Sequence, residues 1–388
     1  MKKKICVVTT TRADYGVMRN TINKILDDSD LSLCLLVSGT HLSSEYGSTI
    51  NEIISDNVPI AEKIDILSDR SDVLGIDETM ANALVRFGEA FMRHKPDLVL
   101  VIGDRYELIP ICTAALVANI PIAHISGGEI TEGAIDDCVR HSVTKMSTLH
   151  FPACEEYRKR IIQLGEQPDR VFNYGDPGVE NILNIDFIPR EELEDYLGFS
   201  LENYICMTFH PVTTQLGKEK QQLEEVLSAI KAFPETTFII TKANADSGGQ
   251  YINNRLEEFA QQNDNVKLFA SLGIRRYLSL VKNAKAVIGN SSSGIIEAPV
   301  LHTPTVNIGD RQKGRLMADS IISCPTERDE IINAIKCAIS DEWQIKAENT
   351  IGFYGIGNTS ACIVETIKKY LYEHPDYEVK RFYDLSSV

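Results

Sequence analysis

Leu98-Val99-Leu100-Val101-Ile102 runs straight into Gly103-Asp104-Arg105-Tyr106-Glu107: five apolar residues, then a small, charged turn. Outward from there, short apolar, β-rich runs alternate with longer amphipathic stretches along the whole chain, the pattern of repeated strand-helix units and parallel sheets. Candidate strands in the first half are 4–9, 31–37, 98–102, 122–125, 149–151 and 171–173. The second half begins again with 204–209, 236–241, 266–269, 286–288 and 305–308. At 388 residues the chain exceeds what one hydrophobic core organises, so it is expected to fold as two Rossmann-like α/β domains facing a cleft. Asp176-Pro177-Gly178 breaks the pattern, which divides the chain into 1–175, 176–358 and a carboxyl-terminal helix and tail, 359–388, packing back across the domains. Open sheets of this kind bind ligands at the carboxyl ends of their strands. The residues just after each run are therefore the informative ones.

Composition narrows the function classes. The longest apolar runs, 97–102 and 116–125, fall far short of the roughly 20 residues that cross a bilayer, so a soluble, cytoplasmic protein without membrane attachment is expected. The nine cysteines are irregularly spaced, with no CxxC pair and mostly in apolar segments. They read as buried free thiols of a reducing compartment, not as a zinc or disulfide framework. A net charge of −16 argues against nucleic-acid binding, because phosphate backbones are held by surplus Lys and Arg. A GxGxxG fingerprint is absent, so no dinucleotide cofactor is expected.

The chemistry-bearing residues follow the strands. After the first comes Thr9-Thr10-Thr11-Arg12-Ala13-Asp14, a turn opening a helix, with amides and an arginine that suit a phosphate or simply cap the helix. Asp104, after strand 98–102, is a general acid or base candidate or a helix cap, and Arg105 stands beside it. The run 122–125 leads into Ser126-Gly127-Gly128-Glu129, then Asp136-Asp137-Cys138-Val139-Arg140-His141, which adds Glu129, Asp136 and Asp137 to the region of Asp104. Crowded carboxylates push some pKa values upward, as proton transfer near neutral pH requires; the structural alternative has Asp136 capping a helix and Arg140 neutralising the acids. In the second half, Phe209-His210-Pro211 places a histidine at a strand end. Gly289-Asn290-Ser291-Ser292-Ser293-Gly294-Ile295-Ile296-Glu297 is a hydroxyl-rich turn opening a helix, and with Asn307-Ile308-Gly309-Asp310-Arg311-Gln312 it suits a nucleoside diphosphate.

TRADYG, GDRYE, HISGGE with its downstream DDCVRH, FHPVTT, IGNSSSGIIE and NIGDRQKGR span almost the whole chain in one order. In them the chain resembles the hydrolysing UDP-N-acetylglucosamine 2-epimerases of sialic-acid biosynthesis, the bacterial capsule type more than the animal enzyme. The resemblance implies a GT-B-like fold and a reaction without cofactor or metal. A base removes the proton at carbon 2 as UDP leaves carbon 1, water adds to the resulting 2-acetamidoglucal, and carbon 2 is reprotonated on the opposite face, giving N-acetylmannosamine and UDP. It implies Asp104, Glu129 and Asp136 as acids and bases around the sugar with Arg105 nearby. It further implies His210 and Arg12 at the diphosphate, and Asn244, Ser291, Ser292, Glu297 and Arg311 as UDP-sugar contacts. Many relatives carry Glu where this chain has Ser126, which shifts the proton-transfer role toward Asp104 and Asp136, with Glu129 next. Three other readings remain open: the same chemistry on a UDP-2,4-diacetamido-2,4,6-trideoxyhexose, a glycosyltransferase of this fold, and a non-catalytic UDP-sugar sensor. A homodimer or homotetramer is expected from such families.

Overall fold

The computed structural model describes residues 2–44, 47–70, 73–131, 135–212, 217–243, 249–355 and 357–385. The chain divides into two compact units: Met1–Ile130, Ile135–Asn181 and Tyr354–Val388 form the first, and Thr131–Ala134 with Ile182–Phe353 the second. The carboxyl-terminal helix Thr359–Glu373 thus groups with the first unit.

In the first unit β1 (Lys3–Thr9), β2 (Leu31–Ser38), β3 (Ile60–Ile64), β4 (Leu98–Ile102), β5 (Ile122–Ile125) and β6 (Leu149–Phe151) make one parallel sheet in the order β3-β2-β1-β4-β5-β6. Its central strands β1 and β4 are mostly buried and apolar because both faces are covered. Ile5 and Val7 pack with Met18 and Ile22 of helix Arg12–Asp27 and with Ile363 and Ile367 of the carboxyl-terminal helix. Cys6 and Val8 point the other way, onto Phe87 and Phe91 of helix Val73–His94 and Ile111 of helix Leu108–Val117.

The second unit repeats the plan with β7 (Tyr204–Thr208), β8 (Thr237–Thr241), β9 (Val266–Phe269), β10 (Ala286–Gly289), β11 (Thr305–Ile308) and β12 (Ile321–Cys324), in the order β12-β11-β10-β7-β8-β9. In each sheet the first strand lies centrally and the chain winds outward both ways, leaving a switch point beside it: β1 next to β4, and β7 next to β10. At the second of these, Gly289 has φ +124, and a Cβ there would fall 2.0 Å from the Thr208 carbonyl oxygen. Only glycine lets β10 end so close to β7.

Two strands escape the sequence reading. β3 and β12 are sheet edges whose residues are mostly part-exposed, so Ile60-Ala61-Glu62-Lys63-Ile64 and Ile321-Ile322-Ser323-Cys324 lack the fully buried pattern of the central strands. Conversely, 171–173 is not a strand: Val171 makes only an isolated bridge to His150, and Arg158 Nε takes the Val171 carbonyl at 3.0 Å. The thiols are not uniformly buried, since Cys138 and Cys337 are exposed. Among the described residues no helix is long and apolar enough to cross a membrane.

Candidate active site

At the first switch point Thr11 caps helix Arg12–Asp27, its hydroxyl accepting from the Asp14 amide at 3.3 Å. Asp14 Oδ2 in turn accepts from the Thr10 amide (3.1 Å), the Thr11 amide (3.0 Å) and the Thr10 hydroxyl (2.9 Å). Burial raises the Asp14 carboxyl above its ordinary range despite those donors. Two amides that a phosphate could have used are therefore already taken. Arg12 points to Glu52, Nε to Oε1 2.8 Å, with both side chains about half exposed.

Across the switch point, Asp104 follows β4 and meets Arg140, which helix Ile135–Met146 brings in fully buried. The same guanidinium donates to the Glu129 backbone carbonyl at 3.1 Å and lies 3.6 Å from Asp137 Oδ1. Arg140 thus gathers Asp104, Asp137 and the Glu129 backbone around one cation. The expected cluster of like charges is organised by a counter-charge between its members. About a third of the Asp104 side chain stays exposed (32%), so the carboxylate is oriented and still open to a ligand. Glu129 is 8% exposed, and Asp136 is half-buried in the first turn of the Arg140 helix. Arg105 turns to the buried Glu107, Nη2 to Oε1 2.9 Å.

His124, on β5, completes the support. Its Nε2 lies 2.8 Å from the Gly103 carbonyl, which can only accept, so that nitrogen carries the hydrogen and Nδ1 accepts from the Thr144 hydroxyl at 3.1 Å. Burial pushes the imidazole down to about 3, which keeps it neutral. Ser126 sits at φ +62, and its amide donates to the Phe151 carbonyl at 3.0 Å, fixing the turn into Gly127-Gly128.

In the second unit the fully buried Asn290 ties β10 to the segment after β7. Its Oδ1 accepts from the His210 amide (2.7 Å) and its Nδ2 donates to the His210 carbonyl (2.8 Å). Arg311 Nη1 and Gln312 Nε2 both donate to the Asn290 carbonyl, at 3.1 and 2.9 Å. His210 is 6% exposed; burial first, then the charge of Arg311, lowers its imidazole to about 4, so it is neutral near pH 7. The Ser293 hydroxyl meets Glu297 Oε2 and the Tyr277 hydroxyl, the latter at 2.8 Å, and burial raises the Glu297 carboxyl. Ser291 accepts from the Ser293 amide at 3.4 Å, and Ser292 stands at the cap of helix Ser293–Val300 with its side chain unused for capping. A recess of about 300 Å³ lies among Lys218, Gln222, Gly309, Asp310 and Thr326, so the stretch containing Arg311 borders open space. Asn244 lies outside the described residues.

In the first unit Arg140 brings Asp104, Asp137 and the Glu129 backbone together, with Asp136 in the first turn of the same helix, and in the second Asn290 links the residues after β7, β10 and β11 through His210 and Arg311. Sequence reasoning passed over Asn290 and His124 although both lie inside quoted motifs. Asn290 was masked by the serines beside it, and His124 by its place inside a strand. Among the described residues no group of three His, Cys, Asp or Glu could hold a metal ion.

Comparison with known proteins agrees with this architecture. The family model described as UDP-N-acetylglucosamine 2-epimerase matches residues 23–368. The GDP/UDP-N,N'-diacetylbacillosamine 2-epimerase (hydrolyzing) of Campylobacter jejuni is 44% identical over 323 residues, covering 83% of this chain and 84% of its own. The polysialic acid biosynthesis protein P7 of Escherichia coli is 38% identical over 384 residues, covering 99% and 98%. The crystal structure of a UDP-GlcNAc 2-epimerase from Neisseria meningitidis bound to UDP-GlcNAc superposes with a TM-score of 0.73 at 20% identity, covering 94% of this chain and 100% of that one, a likeness of fold. With a family model across most of its length and relatives at 38 and 44% identity over 83% or more of it, the chain belongs to the UDP-N-acetylglucosamine 2-epimerase family, in its hydrolysing subgroup.

Proposed function

We propose that the protein cleaves UDP from UDP-N-acetylglucosamine while inverting carbon 2, releasing N-acetylmannosamine. The observation that carries this reading is Asp104: a carboxylate at the carboxyl end of β4, oriented by a buried arginine and still 32% exposed. Removal of the carbon-2 proton and its return to the opposite face require two proton-handling groups, and Asp104, Asp136 and Glu129 are the candidates. Elimination also needs support for the departing diphosphate, assigned here to Arg311 and to the amides and hydroxyls of Ser291 and Ser292, with Glu297 taking the ribose. Neutral His210 is a hydrogen-bonding group for the diphosphate, and its imidazole gains affinity for a proton once an anion lies beside it. Arg12, Arg105 and Asn244 complete the proposed contacts. The chemistry asks no redox or metal group of the protein.

The 38% identity to protein P7 over 99% of the chain, a protein named for polysialic acid biosynthesis, favours N-acetylmannosamine as product. The 44% identity to the diacetylbacillosamine enzyme favours a second reading, the same chemistry on a UDP-2,4-diacetamido-2,4,6-trideoxyhexose. Steady-state UDP release from both sugars separates the two. A kcat/KM ratio well above ten for UDP-N-acetylglucosamine is expected. The reverse ratio reassigns the substrate, and release of a sugar with unchanged carbon 2 refutes the mechanism.

A further inference from the structure

Residues 374–385 form neither helix nor strand, yet they are fastened to the first unit at several points. Lys380 reaches inward, its Nζ donating to the carbonyls of Ser147 (2.6 Å), Lys145 (2.7 Å) and Thr144 (3.5 Å) and pairing with Glu166. Those carbonyls lie at the end of helix Ile135–Met146 and on the residue after it; the Thr144 carbonyl also accepts from the Ser147 amide at 3.1 Å, and a cation there complements the negative end of the helix dipole. Glu166 is 1% exposed and additionally holds Lys145 at 2.9 Å and His150 at 3.0 Å.

The tail is seated beside this group as well. The Tyr383 amide donates to the Gly165 carbonyl at 2.9 Å. Phe382 lies so close over Gly165, at φ +89, that a Cβ would fall 2.3 Å from the ring, and Lys145 stands 4.5 Å above the same ring. Glu378 pairs with Arg170 at 3.0 Å and His374 at 2.9 Å.

The helix end that Lys380 ties off belongs to the helix that carries Arg140 to Asp104. Thr144, whose carbonyl Lys380 holds, gives its hydroxyl to His124, and His124 holds the Gly103 carbonyl next to Asp104. Two short chains of contacts therefore run from the tail to the same carboxylate.

We propose that Lys380 is a positioning residue for the reaction: by closing the helix 135–146 and anchoring on Glu166, it keeps Arg140 and His124 where they hold Asp104. This rests on the reading of Asp104 as a proton-transfer group. The test uses full-length Lys380→Ala and Lys380→Arg, with Lys380→Met as substitute should the alanine variant not fold. Amide hydrogen exchange by mass spectrometry and steady-state kinetics are measured on each. Lys380→Ala is expected to speed exchange at 143–147 and onward at 103–107, and to lower kcat about 10- to 100-fold with KM and UDP affinity within about twofold. Lys380→Arg, which keeps the charge and donors, recovers most of both. Faster exchange confined to the tail, an unchanged kcat, or an arginine variant as impaired as the alanine one overturns the proposal. Asp104→Asn measured in parallel separates the two claims. If it retains its rate, the role of Asp104 fails, whereas the exchange map reads the grip of the tail independently.

Discussion

Replacing Arg140 by methionine keeps the volume and removes the cation on which the acid cluster is built. The side chain is 2% exposed, and breaking a fully buried ion pair costs about 3 to 5 kcal/mol. Its partners Asp104 and Asp137 are 32% and 30% exposed, so water recovers part of that cost and the lower end applies. The Glu129 carbonyl, losing a buried donor, adds about 1 kcal/mol. A loss of about 3 to 4 kcal/mol in a unit of this size corresponds to roughly 10 °C in Tm. The rate should fall further than stability alone requires. A released Asp104 samples several rotamers, and a misplaced proton-transfer group costs about 100-fold. Thermal denaturation followed by near-UV circular dichroism gives the first number and UDP release under saturating substrate the second. Arg140→Lys should rescue little, because a compact ammonium lacks the planar fork whose separate nitrogens reach Asp104, Asp137 and the Glu129 carbonyl. A methionine variant within about 2 °C and twofold of wild type would refute the role given to Arg140.

Asp104→Asn should abolish turnover, by about 100-fold or more, while leaving UDP affinity nearly intact; loss of UDP binding in calorimetry would sink that assignment. Arg311→Ala and Glu297→Ala should instead weaken UDP binding, each by about tenfold, and unchanged affinity in both would move the nucleotide site elsewhere. For Glu166, burial alone would raise the carboxyl, but His150, Lys145 and Lys380 together hold it at about 2, below its ordinary 4.5. The folded state therefore binds fewer protons than the unfolded chain between those values, so the stabilisation is present above pH 4.5 and lost as pH falls toward 2. Buried His150, whose imidazole is also lowered, acts in the same direction below its ordinary 6.5. Glu166→Gln should be less stable at pH 7 by about 3 kcal/mol and flatter on the acid side; parallel urea-derived profiles for the two proteins would contradict this.

What the sequence discloses and what it hides have physical reasons here. β4 is legible because its residues are buried on both sides, leaving no polar position to blur the run, and β5 because His124 alone interrupts an otherwise apolar, buried strand. β3 and β12 are hidden because an edge strand exposes part of its length and mixes polar residues into it. Asp104 and His210 stand out as candidates in the sequence because a strand's carboxyl end is a position with a meaning in any open parallel sheet. Their supports were harder to read. The pairing of Arg140 with Asp104 joins two strand-helix units, and nothing in either motif fixes which of four nearby acids the arginine chooses. Lys380 lies in a segment without periodicity, where sequence gives no register at all, and its partners become visible only once the tail is seen against helix 135–146.

Proton NMR of the protein turning over UDP-N-acetylglucosamine in deuterated water tests the central claim most directly, because it reads UDP release, the free sugar and the isotope at carbon 2 together. Free N-acetylmannosamine carrying deuterium at carbon 2 is the predicted result. Release of N-acetylglucosamine, or of a sugar that keeps its original hydrogen at carbon 2, would contradict the account.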